Sequence, residues 1–301
     1  MSNSALLCRE ESLAVGEPHF GTASTVRRWI LIERDGPWGP TAVDDNRFPD
    51  DIRARIGALR KATGARVLMI RRFGGREQPG VRVMFAYTAR DRVWLEELRL
   101  ESIDGLFSRD LSPLRRGESV GGDPIHDLRW FVCTHGKHDP CCAKYGRPVA
   151  QALDARWPEE TWETSHIGGD RFAGNVLILP LGIYYGRVEP ENAVSLIAAL
   201  RDGQLSLRHF RGRTAYPFDV QAAEWWVRQR HALLGLDDLT FTGHRTTDAA
   251  RSLTTFRLSN GRTLEVDIEK GAGQLRQLTC RASLEHRAPR FRLVAITELD
   301  P

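Results

Sequence analysis

The apolar run V-R-R-W-I-L-I-E-R over 26–34 reads as a buried strand that ends at the turn G-P-W-G-P. Ile52, Ile56 and Leu59 recur at helical spacing with polar residues between them, which predicts a helix over 50–63. Strands follow over 65–72, 81–89 and 93–101, the last two turning at Arg90-Asp91. This β-α-β-β-β order suits a compact α/β layer, and the loop G-E-S-V-G-G at 117–122 closes a first domain over 1–120. The same grammar then restarts. A strand over 128–132 runs into Cys133, and Pro140 opens a helix to 157. Strands follow over 161–166, 176–179 and 182–188. A last helix over 190–202 carries Ala193, Leu196, Ile197 and Leu200 on one face, with Pro190 at its start and Gly203 just past its end.

Strand-helix-strand, then strand-strand-helix, is the thioredoxin-like order, so the expected class is α/β with a thioredoxin-like domain over 121–214. The similar order before it hints at a degenerate duplication, although no sequence repeat supports one. The third unit, 215–301, reads as small and α+β. A helix over 219–234 precedes strands over 240–245, 251–258, 263–270 and 291–297, and Asn260-Gly261 marks a hairpin. Residues 1–22 are polar and read as a segment wrapping the surface.

Composition narrows the function classes. The 301 residues carry 43 Lys+Arg against 39 Asp+Glu, a formal net charge of +4, and no basic run is interleaved with aromatics, which argues against nucleic-acid binding. No apolar run approaches the roughly 18 residues of a membrane span, and the N-terminus lacks the features of a secretory signal. The expected location is therefore the cytoplasm, where thiols stay reduced. Three of the five cysteines lie between 133 and 142, which points to metal binding or catalysis before a disulfide framework.

The chemistry concentrates in 130–178. Cys133 ends a strand, and Cys141 and Cys142 sit in the first turn of a helix, where backbone amides and the helix dipole favour thiolate. His135, His138, His166, Asp139 and Asp170 lie close by in sequence. Thiolates with imidazole suit zinc or a [2Fe–2S] cluster, and two cysteines with two nitrogen ligands is a known cluster set. Gly168-Gly169 permits a close backbone approach or positive φ.

The stretches G-E-P-x-x-G-T-A, C-T-H-G-x-x-D-x-C-C-A-x-x-G-x-P and S-H-I-G-G-D-R-F-A-G-N resemble the sucrase/ferredoxin-like family of thioredoxin-like [2Fe–2S] proteins over about the first 215 residues. The resemblance implies a [2Fe–2S] ferredoxin used in one-electron transfer or redox sensing, with redox donor and acceptor proteins as partners. It points to an electron-transfer protein rather than a stand-alone enzyme; no paired carboxylates support a glycosidase. Carried over by position, Cys133 and Cys142 match the cluster cysteines of the family's fungal members, and His166 matches the first histidine of their H-x-G-G-H element. Asp170 stands where the second histidine would be. An oxygen ligand there is harder and more anionic than imidazole, which lowers the potential. Cys141, Cys8, His135 and His138 are the alternatives for the fourth bond.

Plainer readings stand beside these. His135 and His138 read as solvated turn residues, Asp139 as an N-cap, Asp170 as the cap of a short turn, and Cys280 as an inert thiol. Two other functions compete. A thiol–disulfide oxidoreductase would need a resolving cysteine, and the C-x-x-C spacing is missing. A structural zinc module would use Cys133, Cys142, His166 and Asp170 as an unusual tetrahedral set.

Overall fold

The computed structural model describes residues 7–43, 48–75 and 79–300. In chain order the elements are α1 (Cys8–Ala14), β1 (Arg28–Glu33), α2 (Asp50–Thr63), β2 (Arg66–Arg71), β3 (Val81–Thr88), β4 (Val93–Leu100), α3 (Asp104–Phe107), α4 (Ser112–Arg116) and β5 (Asp123–Pro124). Then come β6 (Arg129–Cys133), α5 (Pro140–Arg156), β7 (Thr161–Thr164), a 3-10 turn (Asp170–Phe172), β8 (Val176–Leu179), β9 (Ile183–Tyr185), α6 (Pro190–Arg201) and β10 (Phe210–Arg213). Last are α7 (Phe218–His231), β11 (Leu239–Thr246), β12 (Arg251–Leu258), β13 (Thr263–Arg276) and β14 (His286–Leu299).

Ten strands form one sheet in the order β10-β9-β8-β6-β7-β2-β1-β3-β4-β5. Within it, β6 pairs β7 in parallel and β8 antiparallel, and β8 pairs β9 antiparallel. That is the thioredoxin-like arrangement: the first strand is central, its helical crossover partner lies on one side, and the returning hairpin lies on the other. A 3-10 turn stands where a longer example of the fold would place a second helix. The strands β1 to β4 repeat the same order, with β2 parallel to β1, β3 antiparallel to β1, and β4 antiparallel to β3. The two halves meet edge to edge where β2 and β7 pair antiparallel at Ile70↔Thr164 and Arg71↔Glu163. The two halves thus share one strand order and are joined through antiparallel edge strands.

Alternation along β6 decides what each face holds. Trp130 and Val132 pack with Val149, Ala150 and Leu153 of α5 and Leu196, Ile197 and Leu200 of α6. Phe131 and Cys133 face the other way, into an apolar layer that runs on across β1 and β2 through Trp29, Leu31, Leu68 and Ile70. The thiol of Cys133 therefore sits at the end of a buried strand, against the shared core. A Cβ on Gly146 of α5 would stand 2.0 Å from the Cys133 carbonyl oxygen, so only glycine lets the helix come this close to the strand end.

The C-terminal four-stranded sheet, β11-β12-β13-β14, packs on α7 through Val220, Ala223, Val227, Phe256, Leu264 and Val266. The Asn260-Gly261 turn joins β12 to β13, with Gly261 at φ 87°. Strands β13 and β14 run to fourteen residues each, well past the expected 263–270 and 291–297. Their outer ends pair from Gly271↔Arg290 to Arg276↔His286 across a register shift, with few apolar positions to signal them. Two further elements lie where no strong periodicity marked one. β10 is only F-R-G-R, and α1 is a short polar helix that buries Cys8, Arg9 and Ser12, so the N-terminal segment docks instead of merely wrapping the surface.

Candidate metal centre

Two connections at one end of the second half-sheet, β6–α5 and β7–β8, converge on a buried point. Cys133 comes from the end of β6, and Cys142 from the first turn of α5. His166 comes from just past β7, and Asp170 opens the 3-10 turn. Asp139 accepts the Cys141 backbone N–H at 2.8 Å, so it is the N-cap of α5 and sets the helix start that aims both adjacent thiols. The sulfur atoms of Cys133 and Cys142 and a ring nitrogen of His166 lie within 4.8 Å of one another. Cys142 Sγ lies 3.2 Å from Asp170 Oδ1, and His166 Nδ1 lies 2.9 Å from the same oxygen. The thiols are 1% and 0% exposed and Asp170 is 2% exposed, so water is excluded from three of the four donors.

Burial and proximity set the protonation of the metal-free site. Cys142 donates to Cys133, and His166 adds a second hydrogen bond and a positive charge, so the Cys133 thiol falls well below its ordinary value. The same shared proton pushes Cys142 up, with burial and Asp170 adding to the effect. Burial works against a charged His166, yet Asp170 and Cys133 outweigh it and raise the imidazole to about 9. Burial likewise opposes the Asp170 carboxylate, and His166 beside it pulls that group below its usual range. Within the site the Cys133 thiol and the Asp170 carboxyl are thus shifted down, and the Cys142 thiol and the His166 imidazole up.

Of the two histidines in the 134–139 loop, His138 is a part-exposed turn residue and His135 is not solvated. His135 is 2% exposed, and both its ring nitrogens are occupied: Nε2 meets the Gly39 carbonyl at 2.6 Å, and Nδ1 accepts the His166 backbone N–H at 3.2 Å. It holds the His166 backbone and has no free nitrogen for a metal. His138 stacks on His166 with ring centroids 3.8 Å apart, and its Nε2 lies 3.9 Å from Asp170. The 168–175 loop is held from behind by Arg211, which is fully buried. Its Nη1 donates to the Gly168 carbonyl at 2.9 Å and to Asn175 Oδ1 at 2.7 Å, while Asn175 donates to the Gly169 carbonyl at 2.7 Å. Gly168 and Gly169 take φ of 100° and 81°, and a Cβ on Gly169 would stand 2.5 Å from the Arg211 guanidinium. Gly169 thus presses against Arg211, while a Cβ on Gly168 would stand 3.0 Å from Ser24 Oγ. Arg211 carries no sequence signal of its role, because one of two arginines in F-R-G-R looks like an ordinary surface charge.

The remaining candidates go elsewhere. Cys141 and Cys8 turn into a second group with Asp139 and Cys280, whose ligand atoms also lie within 4.8 Å of one another. Cys280 is no isolated thiol: its sulfur lies 3.5 Å from that of Cys141.

The donor set of the first group (two sulfurs, an imidazole and a carboxylate) fits a thiophilic metal group. Buried His166 Nδ1, close to Asp170 but without a directed hydrogen bond, is an orphan that such a group would satisfy. A family model described as sucrase/ferredoxin-like matches residues 19–212. Over 102 residues the chain is 29% identical to "Altered inheritance of mitochondria protein 32" of Candida glabrata, covering 29% of this chain and 33% of that protein. A protein of the same name from Saccharomyces cerevisiae (strain YJM789) is 31% identical over 96 residues, covering 27% and 31%. The chain thus spans about a third of the length of these curated relatives. Among solved structures, a thioredoxin-like [2Fe–2S] ferredoxin from Aquifex aeolicus aligns with 31% of this chain and 97% of its own, at 22% identity and a TM-score of 0.26. Among the described residues no helix is long and apolar enough to cross a membrane.

Proposed function

The chain belongs to the sucrase/ferredoxin-like family, and from that membership and its donor set we propose that it holds a [2Fe–2S] cluster on Cys133, Cys142, His166 and Asp170 and serves as a one-electron carrier or redox sensor. When bound, such a cluster supplies a one-electron couple whose potential follows its ligands, its hydrogen bonds and its burial. The observation that carries the reading is the convergence of two cysteine sulfurs and an imidazole nitrogen, from a strand end, a helix start and the loop after a second strand, on one buried point.

The chain's own residues have distinct tasks. The Cys133 thiol is shifted down and the Cys142 thiol up by the hydrogen bond between them, and both would have to be deprotonated to hold a metal group. Asp170 lies 2.9 Å from His166 Nδ1 and would be the oxygen donor, which would make this site harder and more anionic than a two-histidine one. His135 and Arg211 hold the β7–β8 connection that carries both His166 and Asp170. Trp38 packs edge-on against His135 at 5.7 Å, so the β1–α2 connection of the first half covers the centre of the second. His138, part-exposed and stacked on His166, lies on the side facing solvent and marks where a redox donor or acceptor protein would approach. Nucleic acid and membrane are not proposed as partners, and the thiols call for a reducing compartment, for which the cytoplasm is our proposal.

A thiol–disulfide oxidoreductase is the weaker reading, since Cys133 and Cys142 are too buried to meet a substrate disulfide. Anaerobically purified protein should contain two iron and two sulfide per chain. Colourless protein in which reconstitution also fails would refute the proposal, and zinc at Cys133 and Cys142 would replace it with the structural-module reading.

A further inference from the structure

A second sulfur group lies on the opposite side of the same helix start. Cys8 comes from α1, Cys141 from the first turn of α5, and Cys280 from the 277–285 connection between β13 and β14. The Cys8 and Cys280 sulfurs each lie 3.5 Å from the Cys141 sulfur. The Asp139 oxygens lie 3.9 and 4.0 Å from the Cys8 sulfur, and all four donors fall within 4.8 Å of one another. We propose that Cys8, Cys141, Cys280 and Asp139 form a second, mononuclear site for a thiophilic divalent ion such as zinc, independent of the cluster reading.

Geometry favours an ion over a disulfide. Metal–sulfur bonds of about 2.3 Å in a tetrahedron set the sulfurs about 3.8 Å apart, close to the spacing here. A disulfide needs its sulfurs about 2.05 Å apart and would leave the third thiol stranded. Asp139 is already oriented, since Oδ1 accepts the Cys141 amide at 2.8 Å and Oδ2 the Cys280 amide at 2.7 Å. Each oxygen keeps a second lone pair for a cation. The Cys8 amide donates to the Cys280 sulfur at 3.2 Å, the kind of contact that supports a thiolate.

The surroundings give the site a task. Around these thiols the buried apolar contacts amount to little more than Ala173, Leu7 and Tyr145, too small a core to fix three distant segments by burial alone. Glu10 of α1 takes hydrogen bonds from Tyr145 at 2.6 Å and Lys144 at 2.8 Å, so polar contacts already dock α1 on α5. An ion bound by residues 8, 141 and 280 would staple the N-terminal helix and the C-terminal sheet to the domain that carries the first site. Cys280 is part-exposed and provides the entry path.

The test is Co(II) binding to the full chain, read by sulfur-to-cobalt charge-transfer absorption, with zinc and iron measured on the same samples. Wild type and Cys133→Ser should each take up one Co(II) with this signature. Cys8→Ser and Cys280→Ser should lose at least about a hundredfold in affinity, since even second-shell changes cost 10–100-fold, while their iron content stays at the wild-type level. Cys280→Ser lies outside the strands and guards against a Cys8→Ser chain that fails to fold. Wild-type protein that binds no Co(II) through sulfur, a Cys280→Ser variant that binds it as tightly as wild type, or loss of the signature in Cys133→Ser would overturn the proposal.

Discussion

Cys141 and Cys142 are neighbours in the chain, yet they serve different groups. Successive residues on a helix point about 100° apart, so two adjacent thiols cannot both face one centre. Cys142 turns to the sheet end, where β6 and β7 deliver Cys133 and His166; Cys141 turns outward to the two chain ends. The first group is drawn from residues 133–170, inside one thioredoxin-like unit, and the second from residues 8, 139–141 and 280. In the metal-free chain each group holds one depressed thiol, Cys133 or Cys141, because a neighbouring cysteine donates to it. One helix start thus supplies a thiol to each group, Cys142 to one that belongs to the fold and Cys141 to one that belongs to its attachments.

The largest effect should come from splitting this pair. Cys142→Ser should abolish iron binding, a loss of at least about a hundredfold in affinity, while Cys141→Ser should leave iron and sulfide unchanged. Iron and sulfide analysis of the two variants checks it, and equal losses in both would mean that the thiols share one centre.

That split also shows what can be read from a sequence. β6, α5, α6 and the Asn260-Gly261 hairpin are written in local signals: apolar runs, Pro140 and Pro190 at helix starts, and a turn dipeptide. Cys133, Cys142 and His166 stand at the ends of those elements, so their meeting follows from strand order. Nothing local announces that Cys8 and Cys280 meet, because their contact spans 272 residues and depends on how the C-terminal sheet docks. Arg211 and His135 are equally silent, since their roles are hydrogen bonds to backbone of another segment. The joining of the two half-sheets through β2 and β7 has a register of two residue pairs, Ile70↔Thr164 and Arg71↔Glu163, too short a run to leave a pattern in the sequence.

A smaller effect should separate the two groups from behind. Arg211→Met leaves the Gly168 carbonyl and Asn175 Oδ1 buried without their donor and should cost roughly 1–3 kcal/mol per stranded acceptor in denaturant unfolding. Iron affinity should fall with it, whereas Co(II) bound through Cys8 and Cys280 should not change. Loss of both would mean that Arg211 supports the whole fold and not one loop.

The smallest effect concerns Glu17, which ties the groups together. It accepts from Arg171 of the 3-10 turn at 2.9 Å, from Ser12 of α1 at 2.8 Å and from Arg276 at the end of β13. Burial would raise its carboxyl, but Arg171, Ser12 and Arg276 outweigh this and hold it below its ordinary value of 4.5. The unfolded chain therefore binds this proton at a higher pH than the folded chain does. The contribution is complete above pH 4.5 and is lost as pH falls towards the folded value, with a slope of at most about 1.4 kcal/mol per pH unit. Glu17→Gln should flatten that part of the acid unfolding curve of metal-free protein by one proton; an unchanged slope would remove Glu17 from the account.

The claim on which the rest depends is that sulfur and imidazole share one two-iron centre. Pulsed electron paramagnetic resonance of the reduced protein tests it most directly, comparing wild type with His166→Ser and Asp170→Ala. The account predicts a mixed-valence signal with a nitrogen coupling that His166→Ser removes, and a shifted signal in Asp170→Ala. A signal with no nitrogen coupling, unaltered by either variant, or no signal from reconstituted protein, would contradict it.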